Sequence, residues 1–132
     1  MREKRRKLHG DLEILIMKEV WKQGRATVHD VRDALRNQRK LAYTTVLTTM
    51  RNLEKKGFLV HETDGRSYVY LPLVDRETVA RFTARDLLER FFDGSRAQFV
   101  NALFNDEQLS TEQFERLRRE ILDLRQREEE NE

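Results

Sequence analysis

The run Leu59-Val60-His61-Glu62-Thr63-Asp64-Gly65-Arg66-Ser67-Tyr68-Val69-Tyr70-Leu71-Pro72 decides how this chain folds. Two strand-like segments, Leu59 to Thr63 and Arg66 to Leu71, flank the pair Asp64-Gly65. An Asp-Gly pair in that setting signals a hairpin, because a type I′ turn needs positive φ at both central residues. A turn at Asp64-Gly65 pairs Thr63 with Arg66, His61 with Tyr68 and Leu59 with Tyr70. Pro72 closes the second strand, since it has no amide to give to a ladder. Tyr68 and Tyr70 share a face and are expected to pack on the preceding helix as core.

Upstream of Phe58 the apolar spacing is helical. Residues 43–56 form one run, and Gly57 is placed to cap it in the left-handed region. Before it comes the basic turn Asn37-Gln38-Arg39-Lys40. Thr27-Val28-His29-Asp30 has the form of a capping box and opens a helix over about 28–37 with Val31 and Leu35. Leu12, Leu15, Ile16, Val20 and Trp21 make a stripe for a first helix over about 11–22, followed by Gln23-Gly24 and a short extended link, Arg25-Ala26. Three short helices followed by a hairpin is the order of a winged helix-turn-helix, with the hairpin as the wing.

Downstream the pattern stays helical. Asp75 caps a helix carrying Val79, Phe82, Leu87, Leu88, Phe91 and Phe92 up to Gly94, and Ser95 with Gln98 opens another with Phe99, Val100, Leu103 and Phe104. Ser110 with Gln113 forms a capping box, while Leu109 and Phe114 stand as a hydrophobic staple. Phe114, Leu117, Ile121 and Leu124 then make a seam of the kind that pairs helices. The tail Glu128-Glu129-Glu130-Asn131-Glu132 is expected to fray. The fold class is mainly α with a small β-hairpin (α+β): a winged helix-turn-helix over residues 1–74, then a helical dimerisation region over 75–132.

Composition narrows the function. Charged and hydrophobic residues each make up 38% of the 132, so a modest core is expected and the composition is not that of a disordered chain. With no Cys there is no disulfide scaffold, thiolate metal site or cysteine nucleophile, and a reducing compartment, the cytoplasm, is expected. No apolar run suits a membrane span, and the start Met1 to Lys7 is not a signal peptide, so membrane insertion is not expected. The net charge of +2 is unevenly spread: residues 1–74 carry 16 Lys and Arg against 9 Asp and Glu, whereas 75–132 carry 10 against 15. A basic half fits a polyanion and an acidic half fits self-association.

The third helix carries the chemistry. Val46, Met50 and Leu53 share one side, and Thr44, Thr48, Arg51 and Lys55 share the other, with Thr45 and Asn52 at its margin. That outward side has no carboxylate and suits a major groove. Arg bonds guanine O6 and N7, Asn does the same for adenine, and Thr or Lys reaches thymine methyls and phosphates. The plain competing reading of such a face is solvated charge. At the hairpin tip Arg66 could reach a phosphate or minor groove, or simply be solvated. Thr27 is a helix cap whose neighbouring free amides also suit a phosphate. Arg2, Lys4, Arg5, Arg6 and Lys7 read as a mobile basic arm. His9, His29 and His61 are scattered with no zinc-ligand spacing, and neither a phosphate loop nor a nucleophile elbow is present, so no enzyme, metal or cofactor is expected.

The segments Leu12 to Trp21, Thr27 to Val31, Leu41-Ala42-Tyr43-Thr44-Thr45-Val46, Leu53 to Leu59, Gly65-Arg66 and Tyr70-Leu71-Pro72 resemble the penicillinase-repressor (BlaI/MecI/CopY) family of bacterial winged-helix regulators. The resemblance covers about residues 8–125, most specifically from Ala42 to Gly57. It implies a homodimer on an inverted-repeat, double-stranded DNA operator, with Tyr43, Thr44, Thr45, Thr48 and Arg51 on the bases or backbone and Arg66 as the wing contact. It implies that Val79, Phe82, Phe91, Phe99, Leu103, Phe114, Leu117, Ile121 and Leu124 serve the dimer. Antibiotic-responsive members resembling this chain are released when a membrane sensor metalloprotease cuts an Asn-Phe bond. Here the corresponding place reads Ala102-Leu103, so that cut-site chemistry is not preserved, and the absence of Cys excludes the copper-responsive mode. The expectation is a repressor of a resistance or stress-response operon. The alternative is a winged-helix protein-interaction module without sequence-specific DNA binding.

Overall fold

The computed structural model describes residues 8, 10–105 and 109–131. The expected basic arm over residues 1–7, His9 and the last residue of the acidic tail, Glu132, lie outside the described residues. The order is α1 (Gly10–Gln23), α2 (Val28–Leu35), α3 (Tyr43–Lys55), β1 (Leu59–Asp64), β2 (Ser67–Pro72), α4 (Arg76–Phe92), α5 (Arg96–Phe104) and α6 (Thr111–Glu130). Contacts group the chain into two compact units, Met1–Asp86 and Leu87–Glu132, with the boundary inside α4.

In the first unit the core is made by the apolar stripes of three helices and the base of the hairpin. Ile16, Met17 and Val20 of α1, Val31 and Leu35 of α2, and Val46, Met50 and Leu53 of α3 are sealed from solvent together with Phe58, Leu59 and Tyr70. Burying such side chains contributes about 1.5–3 kcal/mol each. Local signals set the helix ends. Asp30 donates its amide to Thr27 Oγ1 at 3.1 Å while Thr27 donates its own amide to Asp30 Oδ2 at 3.0 Å, a reciprocal cap on α2. At the end of α3, Gly57 takes φ +89°. Its amide bonds Glu54 O, and Phe58 N bonds Leu53 O, which turns the chain into the hairpin and drops Phe58 into the core. α2 stops at Leu35, short of the expected residue 37, because the amides of Gln38 and Arg39 both return to Leu35 O as a turn.

The hairpin forms with a different register from the expected one. Asp64 pairs with Ser67, Thr63 with Tyr68, His61 with Tyr70 and Leu59 with Pro72. The bend is thus Gly65-Arg66, with Gly65 at φ +65° and no positive φ at Arg66, the arrangement in which a type II′ turn carries its glycine first. Placing the positive φ on glycine alone spares Asp64 a strained backbone and adds the Asp64–Ser67 pair at the turn end of the ladder. A shift of two keeps each side chain on its expected face. Tyr70 is buried, as expected, but Tyr68 is 46% exposed and stacks on His61 with ring centroids 4.2 Å apart. It lies nearer the tip of the ladder than Tyr70, beyond the reach of the core. Ala26 bridges the outer edge of β2 through Ala26 N to Tyr70 O at 3.0 Å and Tyr70 N to Ala26 O at 2.8 Å, so the extended link after α1 anchors the wing.

In the second unit Phe92 and Phe99 stack at 5.1 Å, and Phe104 meets Phe114 edge-on at 5.0 Å. Ser110 and Gln113 form the expected capping box on α6. No residue of α6 is buried. The acidic tail differs from expectation, since helix continues to Glu130. Glu and Arg are good helix formers, and Arg125 lies 3.6 Å from Glu129 one turn on.

Candidate nucleic-acid interface

The third helix separates its side chains as the spacing demands. Val46, Thr49, Met50 and Leu53 are buried, and Tyr43, Thr44, Thr45, Thr48, Arg51, Asn52 and Lys55 are exposed. Thr49 is the polar member of the buried side, and its hydroxyl donates to Thr45 O at 2.8 Å, which satisfies it without a partner elsewhere. The exposed side has no carboxylate. Glu54 points toward the hairpin, where its carboxylate accepts from His61 Nδ1 at 2.8 Å. Lys56, next along, is held by Glu13 of α1 at 2.8 Å, so these charges brace the helix and leave Arg51 and Lys55 presented outward.

A groove of about 420 Å³ runs between the start of α2, the start of α3 and the wing. Of the residues expected to meet DNA, it brings together Thr27, Tyr43, Arg51 and Arg66. Thr44, Thr45, Thr48, Asn52 and Lys55 lie on the helix surface outside that lining. The groove adds His29, Ser67 and Tyr68, which the sequence did not single out for this role. His29 has its ring centroid 4.7 Å from that of Tyr43, so α2 and α3 meet at their N-terminal ends. Its position two residues after a helix cap is a local hint, but its meeting with Tyr43 is a tertiary fact. Burial pushes the Tyr70 phenol above its ordinary value, with the Glu54 carboxylate adding to the effect, so it stays protonated beneath the groove.

Of the residues assigned to the dimer, Val79 is buried in the core of the first unit. Phe82 and Phe99 are half-buried. Phe91, Leu103, Phe114, Leu117, Ile121 and Leu124 are exposed, Phe91 by 74%. Ala102 and Leu103 sit exposed in α5. Among the described residues no group of three or more His, Cys, Asp or Glu could hold a metal, and no helix is long and apolar enough to cross a membrane.

Residues 9–123 match the penicillinase repressor family. The chain belongs to that family. Its members are transcriptional repressors and not enzymes. The penicillinase repressor of Bacillus licheniformis is 30% identical over 108 residues, spanning 82% of this chain and 84% of that protein. The transcriptional regulator BlaI of Mycobacterium tuberculosis is 32% identical over 116 residues, spanning 87% and 83%. A solution structure of monomeric Bacillus licheniformis BlaI in complex with the blaP half-operator is 31% identical and superposes with a TM-score of 0.46, covering 53% of this chain and 85% of that one. In this penicillinase-repressor family chain, the match runs from α1 into α6 and so takes in part of both compact units.

Proposed function

We propose that this protein is a homodimeric, sequence-specific DNA-binding transcriptional repressor that recognises a palindromic operator. The observation that carries the reading is the acid-free exposed side of α3, with Thr44, Thr48, Arg51 and Lys55 in line and Arg51 lining one groove with Arg66 of the wing. In a chain of a repressor family, that surface suits the major groove, with Arg51 and Asn52 on base edges and Thr27, Tyr43, Thr45 and Arg66 on the flanking backbone. Two-fold symmetry then sets half-sites about one or more helical turns apart.

The C-terminal helices supply the pairing surface. Phe114, Leu117, Ile121 and Leu124 form an apolar seam along α6 that the chain itself leaves exposed; Phe91 and Leu103 are also exposed, and Phe82 and Phe99 are half-buried. Val79, buried in the core of the first unit, takes no part in this surface. The net charge of the acidic half repels phosphates and keeps pairing and reading apart.

Selection of bound duplexes from a random pool tests the reading: recovery of an inverted repeat supports it. If the full chain shows no salt-dependent affinity for duplex DNA, the protein-interaction module takes its place. The proposed target class, a resistance or stress-response operon, is suggested by relatives named as a penicillinase repressor and a methicillin resistance regulatory protein, and identification of the recovered repeat upstream of such genes checks it. Release by a membrane sensor metalloprotease at Ala102-Leu103 is the route that the family resemblance suggests, and both residues are exposed within α5. Incubation with such a protease that leaves the chain intact there rejects that route.

A further inference from the structure

Away from the face of α3, a second concavity of about 320 Å³ opens where α2 passes into the turn before α3. It is lined by Arg32, Arg36, Lys40 and Leu41, three cations around one apolar floor and no carboxylate. Asp33 stands beside it, 3.1 Å from Arg36 and 3.7 Å from Arg32, and offsets part of this charge. Arg32 is only partly engaged by that contact. Its Nε is buried and has no hydrogen-bond partner among the described residues, so turning the guanidinium onto an anion gains a bond and breaks none at that atom. A guanidinium carries its donors in a planar fork that matches the oxygens of a phosphate.

Position links this pocket to the groove already described. His29, Arg32 and Arg36 follow one another at helical spacing on one side of α2. His29 meets Tyr43, the first residue of α3, and both line the groove that holds Arg51 and Arg66. Arg51 and Arg66 in the groove and Arg32, Arg36 and Lys40 in the pocket thus lie on either side of His29, with Asp33 as the carboxylate beside Arg32 and Arg36. A row of cations of that length suits a polyanion better than a single small ion.

We propose that the pocket formed by Arg32, Arg36 and Lys40 is a second phosphate site, which takes a DNA backbone phosphate beside the stretch read by α3. The proposal rests on the DNA-binding reading of α3 and the wing.

The test uses the full chain and a long random-sequence duplex, with affinity followed by fluorescence anisotropy across a salt series. Arg36→Gln/Lys40→Gln alters two exposed side chains and leaves the core intact. It is expected to reduce the magnitude of the slope of log affinity against log salt by about 1, the loss of one phosphate contact. Lys18→Gln/Lys22→Gln, which removes the same charge from exposed positions of α1 lining a different cavity, is expected to leave the slope near wild type. Equal slopes for wild type and Arg36→Gln/Lys40→Gln overturn the proposal while leaving α3 as a DNA reader. If inorganic phosphate shifts the Arg32 Nε–H resonance of the DNA-free protein while those slopes stay equal, the pocket takes free phosphate and the DNA assignment is wrong. A wild-type chain with no salt-dependent affinity removes the DNA-binding reading and this site with it.

Discussion

His61 Nδ1 lies 2.8 Å from a carboxylate oxygen of Glu54, which ties the first strand of the wing to the last turn of α3. Because a carboxylate only accepts, Nδ1 carries the proton in this pair. Both side chains are partly exposed, so Glu54→Ala is expected to cost less than about 1 kcal/mol in urea unfolding. DNA affinity should fall by more than that, since the link fixes where the wing presents Arg66 relative to Arg51. An unchanged affinity with an unchanged unfolding midpoint rejects this positioning role.

Arg51 stands exposed and lines the groove that reaches Arg66. Arg51→Ala is expected to weaken operator binding by about 1–3 kcal/mol and to relax the preference at one base position if the guanidinium bonds a base edge. Lys55→Ala should weaken all sequences alike. Affinities measured against a set of single-base operator variants separate the two, and an Arg51→Ala profile parallel to wild type assigns Arg51 to the backbone.

The two sides of α3 were legible because helical periodicity is local and its apolar members are unmixed. Thr49 escaped notice because its burial depends on a hydroxyl returning to Thr45 O within the same helix. The hairpin was legible, but its register was not. Asp64-Gly65 is compatible with Gly as either the second or the first central residue, and only the pairing of Asp64 with Ser67 selects between them. Tyr68 was misplaced for a related reason: parity gives the face of a strand, whereas burial depends on how far along the ladder the core extends. Val79 shows the same limit in the helical region, where an apolar residue looks alike to a core and to a partner. The groove's use of His29 arises from tertiary approach to Tyr43, which no local pattern encodes.

The seam of α6 has Phe114 and Leu117 more than a third exposed and Ile121 and Leu124 more than half exposed, on a helix with no buried residue. Such a stripe is stable in water when it is covered. Phe114→Asp is expected to convert the proposed dimer to a monomer in light scattering and to weaken binding to a two-half-site operator far more than to a single half-site, because pairing doubles the contacts made at once. A variant that remains dimeric moves the interface elsewhere. Circular dichroism distinguishes loss of pairing from loss of the helix, and Ile121→Asp, farther from the Phe104 ring contact, provides the same readout without disturbing that packing.

Asp75 marks the start of α4 and accepts the amide of Thr78 at 2.7 Å. The Thr78 side-chain hydrogen bond, and after it the backbone one, holds this carboxyl below its ordinary value of 3.8. A folded-state value lower than the unfolded one means that the charged group's contribution is fully present above pH 3.8 and disappears as pH falls through the folded value. Asp75→Asn keeps an oxygen able to cap the helix but removes the titration. The stability difference between wild type and Asp75→Asn, measured by urea unfolding at a series of pH values, should therefore be constant near neutrality and shrink only on the acid side of 3.8. A carboxyl resonance of Asp75 that titrates at or above 3.8 in the folded protein contradicts this account of the cap.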